Sequence, residues 1–221
     1  FMGQAGLLMS TYSQESGIGK STALKIAQAV WGDPVKAVQA LSDTSNSVIN
    51  KIGEIRSLPL YWDELKTEDE TKRFVEMAFR LSLGKEKARL TQTIKQRDPG
   101  TWQTILVSAS NDSLLDYIVG HTTTTTAGLF RVFEFEVVPG VTHQIDPSDA
   151  QRTVSQLHDN FGMAGLEYAK FLGANTARVD EEVGLFARAL GAEVKTTPDE
   201  RFWVALVACI CMGAHYANEL G

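Results

Sequence analysis

The stretch "SQESGIGKST", Ser13 to Thr22, decides how the chain reads. Its second half, Gly19, Lys20, Ser21 and Thr22, is how a phosphate-binding loop ends. The full pattern asks for a glycine, four residues, then glycine, lysine and serine or threonine. Gln14 stands where the first glycine belongs. That glycine eases the turn out of the preceding strand, and Gln14 can replace it if its φ is negative. The flanks suit the motif. "GLLMSTY", Gly6 to Tyr12, reads as a short buried strand. Ser21 to Trp31 places Leu24, Ile26, Ala27 and Val30 at helical spacing, and "GDP" at 32–34 stops the helix. Ser16, Gly17, Ile18 and Gly19 then turn backbone N–H groups toward a phosphate, beside the positive end of the helix dipole. Lys20 is placed to reach the β and γ phosphates of ATP. Ser21 offers a hydroxyl to Mg²⁺, and Thr22 adds a secondary contact. A glycine-rich helix start with a surface lysine is the plainer alternative. The strand before and the helix after favour the nucleotide.

A second motif strengthens that reading. "LPLYWDEL", Leu58 to Leu65, is an apolar strand ending in two carboxylates. Neighbouring residues on a strand point to opposite sides, so the two can take different roles. Asp63 is placed to hold the Mg²⁺ shell opposite Ser21, and Glu64 to act as general base on the attacking water. Alone, such a pair would read as a charged strand end capping the next helix. A third strand, Thr104 to Ala109, ends in Ser110 and Asn111. If it lies between the other two motif strands, Asn111 can hydrogen-bond the attacking water or the γ phosphate, with Ser110 as runner-up. Asn111 could equally cap the following helix. "GLFR", Gly128 to Arg131, leads into a strand whose alternation runs over Phe130–Val138. Arg131 could pair with Glu134 or Glu136, or in a ring reach a neighbour's γ phosphate as an arginine finger.

Further elements follow from periodicity. Val35–Leu41 reads as a strand, Val48–Arg56 as a helix, and Thr67–Leu83 as an amphipathic helix closed by Gly84. Arg89–Gln96 alternates like a strand, "DPG" at 98–100 turns it, and Thr101–Ser108 returns, giving a hairpin whose tip carries Lys95 and Arg97. The five threonines at 122–126 read as a loop. From Asp149 onward the pattern is helical. The fold class is therefore α/β, a three-layer αβα sandwich on a central parallel five-stranded sheet. An α-helical C-terminal region follows, with residues 1–140 as core and 141–221 as a helical lid or collar.

Bulk properties narrow the partners. The net charge is −6 and the pI about 5.3, so nucleic-acid contact must come from a local patch. Lys85, Lys87, Arg89, Lys95 and Arg97 form such a patch in this acidic chain. A solvated hairpin is the plainer alternative to a single-stranded DNA contact in a ring pore. Lys85 or Lys87 could instead touch a neighbour's nucleotide. Cys209 and Cys211, two apart in an apolar run, suit neither zinc nor a disulfide, and read as buried or half-buried thiols in a reducing, cytoplasmic compartment. The longest apolar run, Phe202–Met212, reads as a core helix rather than a membrane span. Four scattered histidines show no metal spacing, and no nucleophile elbow is present. The abrupt start at Phe1 and the stop at Gly221 suggest a piece of a longer protein.

Taken together, "ESGIGKSTALKIAQAVWGDP", "LPLYWDEL", "LGKEKARL", "ILVSASN" and "GLFRVFEF" resemble the helicase-like ATPase domain of phage and plasmid primase–helicase proteins. These are similar to superfamily 3 and AAA+ ring ATPases. The resemblance covers Gly6–Val138 and, more loosely, the tail to Gly221; Gln14 departs from it. It implies a homo-oligomeric ring, a hexamer, that hydrolyses ATP with Mg²⁺ while moving along single-stranded DNA. It also implies replication partners such as a primase domain. Other readings are a packaging or remodelling motor, or a module whose ATP only joins subunits. Glu64 together with Arg131 argues against the last. A small-molecule kinase fits least, for want of an arginine-rich lid.

Overall fold

The structure, a computed structural model, describes residues 5–37, 45–65, 68–86, 89–90, 96–97, 100–121, 131–138 and 146–221. In chain order the elements are β1 (Gly6–Tyr12), α1 (Lys20–Trp31), α2 (Pro34–Ala37), α3 (Ser45–Ile55), β2 (Leu60–Leu65), α4 (Glu68–Leu81), β3 (Arg89–Leu90) and β4 (Gln96–Arg97). Then come β5 (Thr104–Ser110), α5 (Leu114–His121), β6 (Val132–Glu136), α6 (Pro147–Gln156), α7 (Met163–Ala174), α8 (Thr176–Val194) and α9 (Arg201–Leu220). The main sheet runs β2-β5-β1-β6, with every neighbouring pair parallel.

Alternation on these strands serves two faces, as a sheet covered on both sides requires. Leu60, Leu106, Leu8 and Val132 form one row across the four strands. They are buried with Ile52 of α3, Phe74, Met77 and Leu81 of α4, and Leu114 and Ile118 of α5. Tyr61, Val107 and Ala109 face the opposite way, against Leu24, Ala27 and Trp31 of α1. The result is three layers. Among the described residues the sheet has four strands, not the expected five. Of Val35–Leu41, residues 35–37 lie in α2, and 38–41 fall outside the described residues. Asp33 Oδ1 accepts from Val35 N at 2.9 Å and Pro34 opens the turn, a helix-start pattern that outweighs the β-preference of Val35.

The hairpin also differs from its expected pairing. Arg89 pairs with Arg97 and Leu90 with Gln96. Lys85 bridges Thr101, Glu86 N donates to Gly100 O at 2.8 Å, and Trp102 N donates to Gly84 O at 3.0 Å. All share one register. The excursion is thus a hairpin from Gly84 to Trp102, and Thr104–Ser110 joins the parallel sheet instead. Arg97 lies on a strand opposite Arg89 rather than at the tip. Glu86 fixes the base through Oε2, which accepts from Gly100 N at 3.2 Å. The Trp102 indole donates to Leu81 O at 2.7 Å, tying the hairpin base to the end of α4.

The C-terminal helices dock at two places. Gly162 N donates to Ala29 O at 2.8 Å, and the Trp31 and Tyr168 rings meet edge-on at 6.3 Å, so α7 sits on the far end of α1. The Trp203 indole donates to Val132 O at 2.9 Å, which ties the start of α9 to the outer edge of β6. Helices α8 and α9 pack through Val179, Val183 and Tyr216. Arg178 bridges Glu182 and Glu219, and Tyr216 donates to Glu182 at 2.8 Å. The expected core helix and the reading of the cysteines both need correction. Only Ala205, Leu206, Ala208 and Tyr216 of α9 are buried, and Cys209 and Cys211 are exposed. The helix lies along the surface, so each turn meets protein on one side only. By length and composition alone Pro198–Leu220 is apolar enough to cross a membrane, with 22% of its window buried.

Gly165 is where α7 meets α1 most closely. A Cβ there would lie 2.3 Å from Val30 O and 2.8 Å from the Trp31 ring, so backbone must move. Gly165→Ala is expected to lower the unfolding free energy by about 1–3 kcal/mol, read as a lower urea midpoint at constant m. Gly173→Ala on the same helix meets nothing within 4 Å. It should be neutral or stabilising by up to about 1 kcal/mol. Equal midpoints for the two variants would show that α7 does not rest on α1.

Candidate functional site

The loop after β1 is built by two glycines in the left-handed region. Gly17 has φ 78° and Gly19 φ 92°, and any side chain there would be strained. Among the described non-glycine residues only Arg56 and Lys195 have positive φ, so Gln14 meets its condition. Gly19 caps α1 without a side-chain hydrogen bond, so no side chain competes for the first N–H groups of that helix. Ser16 and Gly17 are exposed and Ile18 half-buried along the loop. Lys20 Nζ is drawn over it, donating to Ser13 O at 2.8 Å and Glu15 O at 3.0 Å. Ser13, 2% exposed, anchors the start: its Oγ accepts from Glu15 N, and its N–H donates to Ser110 O at 3.3 Å. Thr22 is half-buried one residue further into α1.

Ser21 Oγ donates to Asp63 Oδ1 at 2.8 Å. This contact joins the first turn of α1 to β2 and brings the two proposed Mg²⁺ holders together. A hydroxyl and a carboxylate suit a hard divalent cation, which commonly keeps its waters and takes the remaining ligands from substrate phosphates. The donor set therefore fits Mg²⁺. Among the described residues there is no cluster of three or more His, Cys, Asp or Glu placed for a metal. Glu64 follows Asp63 within β2, at a register shift between Trp62 and Leu65. Its side chain lies outside what is described.

Strand β5 lies between β1 and β2, the position required of a sensor strand. Tyr12 is level with Ser110, so the loops after β1 and β5 leave the sheet side by side. Asn111 is exposed just beyond, and Ser110 Oγ donates to Asp112 O at 2.7 Å. Tyr61 is buried against α1, and burial pushes its phenol up to about 12. Tyr12 is also raised, first by desolvation and then by Glu136 and Glu134. Both phenols stay neutral at pH 7.

Glu134 is the site-edge residue that sequence reading missed. Trp62, Ser108, Ser10 and Glu134 form one row across the sheet. Trp62 Nε1, Ser108 Oγ and Ser10 Oγ there have no hydrogen-bond partner among the described residues, whereas the Glu134 carboxylate has three. Its carboxylate accepts from Ser113 Oγ, Leu114 N and Leu115 N at 2.5, 2.8 and 3.3 Å. The signal lay in "RVFEFE": strand alternation puts Glu134 on the face of Val132 and away from Arg131.

Arg131 is not brought to this cluster. It precedes Val132, which pairs with Leu8, four residues before Tyr12. That is about 13 Å back along β1 at ~3.3 Å per residue. Its Nη1 donates to Ser82 Oγ at 2.6 Å and its guanidinium lies 5.8 Å from the Phe202 ring. Its half-buried side chain joins the ends of α4, β6 and α9. The basic hairpin leaves the same far edge. Arg89 and Arg97 are described there by backbone alone, and Lys87 and Lys95 lie outside the described residues.

Residues 1–99 match a family described as a domain of unknown function, DUF927. No curated protein sequence matches the chain. A solved structure named "SCCmec type IV Cch - active helicase" superposes with a TM-score of 0.73 at 21% identity, over 98% of this chain. At that identity the likeness is one of fold. The chain spans 38% of the length of that helicase. The architecture is thus that of a helicase-like α/β domain, a parallel sheet between helices with the glycine loop at its C-terminal edge.

Proposed function

We propose that this chain is the ATP-hydrolysing domain of a ring helicase or translocase that acts on single-stranded DNA. The observation that carries the proposal is the 2.8 Å contact between Ser21 and Asp63, beside a lysine-bearing loop with two left-handed glycines. The backbone of Ser16–Gly19 and the first N–H groups of α1 receive the phosphates, with Lys20 swinging from Ser13 O and Glu15 O onto them. Thr22 adds a secondary contact. Ser21 and Asp63 would hold Mg²⁺, which would supply positive charge to offset that of the ATP phosphates. Glu64 accepts a proton from the attacking water, and Asn111 orients that water. Arg131 acts on a neighbouring subunit after leaving Ser82 and Phe202. Lys87, Arg89, Lys95 and Arg97 meet the DNA backbone from the hairpin. Residues 1–140 form the catalytic core and 141–221 a helical lid.

Steady-state ATP hydrolysis, with and without single-stranded DNA, tests the core of this reading. DNA should raise turnover. Glu64→Gln should lower kcat by about 10²-fold or more while ATP still binds. Turnover indifferent to DNA would point to a remodelling motor. No turnover from assembled protein would sink the motor reading in favour of an assembly module.

Arg131 needs a separate test because it also holds the fold. Arg131→Ala should cost about 1–2 kcal/mol of stability through Ser82 and Phe202. Mixing Arg131→Ala with Glu64→Gln subunits should restore part of the hydrolysis that each lacks alone. A mixed interface whose ATP site comes from the Arg131→Ala subunit pairs an intact Glu64 with the intact Arg131 of its neighbour, whereas the opposite orientation lacks both. Mixed rings as inactive as either parent would rule out the finger.

A further inference from the structure

We infer that Glu134 is a positioning residue for Asn111, acting through the cap of α5; this rests on the sensor role given to Asn111 above. The segment Ser110–Ser113 is held at both ends. At its start, Ser110 O accepts from Ser13 N of the phosphate loop. At its end, Ser113 is the cap of α5: its carbonyl accepts from Tyr117 N at 3.3 Å and its Oγ from Asp116 N at 3.1 Å. The same hydroxyl donates to Glu134, whose carboxylate also accepts from Leu114 N and Leu115 N. The first three N–H groups of α5 therefore all have side-chain acceptors, two of them from another strand.

That arrangement has a consequence for Asn111. A serine cap closes the helix locally, and the buried Leu114 and Ile118 hold it on the sheet by apolar contacts that carry no direction. A carboxylate fixed on β6, in register with Ser10 of β1, ties the cap to the strand that carries the phosphate loop. Glu134 is half-buried, and it faces the positive end of the α5 dipole, where a carboxylate is favoured. Asn111 is two residues before the fixed Ser113 and one after the fixed Ser110. Its side chain is exposed and points of attachment lie on both sides, so its reach is set by the two anchors. Without Glu134 the Ser113 end keeps only the apolar packing of Leu114 and Ile118, and the Ser13 end is the one directional tie to the sheet. A shift of about 1 Å in a group that orients the nucleophile lowers turnover by up to ~10²-fold.

The experiment is ATP hydrolysis by the full chain carrying Asn111→Ala, Glu134→Ala, both together, and Ser113→Ala. Glu134→Ala is expected to lower kcat at least about tenfold with KM within about twofold. The double variant should be no slower than Asn111→Ala, since Glu134 acts only through that residue. Ser113→Ala loses one of the three carboxylate contacts and should show a smaller fall in kcat of the same kind. It keeps the proposal testable if Glu134→Ala does not fold. Glu134→Gln, which keeps one acceptor oxygen, should recover part of the loss. Multiplicative effects of Glu134→Ala and Asn111→Ala would overturn the positioning role and leave the sensor standing. Unchanged kcat in Asn111→Ala would overturn the sensor, and this inference with it. An unchanged kcat in Ser113→Ala alongside a raised KM in Glu134→Ala would assign Glu134 to ATP binding instead.

Discussion

The pairing of β1 with β5 is the constraint on which the rest depends. It runs in one register from Gly6 opposite Thr104 to Tyr12 opposite Ser110, with no shift. Parallel strands place all their C-terminal ends at one edge, so whatever chemistry follows them is gathered there. Here the glycine loop with Lys20 follows β1 and the Ser110–Ser113 segment follows β5. The Asp63 carboxylate comes from β2 on the far side of β5. A slip of one residue would turn every buried row to the wrong face. Leu8 and Leu106 share one row and are 3% and 0% exposed, so such a slip would send them to opposite faces and break the core they share. The register is therefore fixed by hydrophobic burial, and the hydrogen bond from Ser21 to Asp63 is a product of it.

A division of labour between the two sheet edges follows. The C-terminal edge carries Lys20, Ser21, Asp63 and Asn111. The N-terminal edge carries the basic hairpin, Arg131 and the contact of Trp203 with β6. Buried rows of apolar side chains separate them, so no side chain reaches from one edge to the other. Two rigid elements do span the distance. Helix α1 begins in the phosphate loop and ends under α7, at Ala29, Val30 and Trp31. Strand β6 begins beside Arg131 and holds the cap of α5 through Glu134. The glycine-loop edge is thus joined by continuous elements to the C-terminal helices and to the far edge.

Much of this was legible in the residues, for reasons that can be named. The glycine turn, β1, α1 and β5 showed because each combines a local rule with burial: glycine where φ is positive, apolar alternation, a serine or lysine at a fixed offset. The contact of Ser21 with Asp63 followed from the same spacing, 42 residues apart in the chain. Val35–Leu41 misled because Val35 favours strands while Asp33 and Pro34 set a helix start. The hairpin misled because alternation alone does not choose a partner. "DPG" offered a turn, but the ladder instead closes between Arg89–Leu90 and Gln96–Arg97. The surroundings of Arg131 were not legible either. A guanidinium before a strand reads as available, and only the fold shows Ser82 and Phe202 beside it. Glu134 was hidden because its partners are backbone N–H groups, which carry no residue identity in a sequence.

The same reasoning accounts for α9, whose apolar surface exceeds what the fold buries. Its polar ties are specific: Trp203 to β6 at one end, and Tyr216 with Glu182, Arg178 and Glu219 at the other. An isolated surface ion pair contributes little. Here Arg178 meets Glu219 through both terminal nitrogens and lies 5.7 Å from the Tyr216 ring, so several weak contacts share one guanidinium. The Arg178 pair holds the Glu182 and Glu219 carboxylates below their ordinary range, Glu182 first through the Tyr216 hydroxyl and Glu219 through Arg178. Both carboxylates favour the folded chain when charged, so that contribution is present near neutrality and fades as acid protonates them. Polar ties at two ends orient the helix along α8 and against β6. Its remaining apolar side chains are therefore held at fixed positions on the surface, and the orientation of α9 owes more to these directional contacts than to burial.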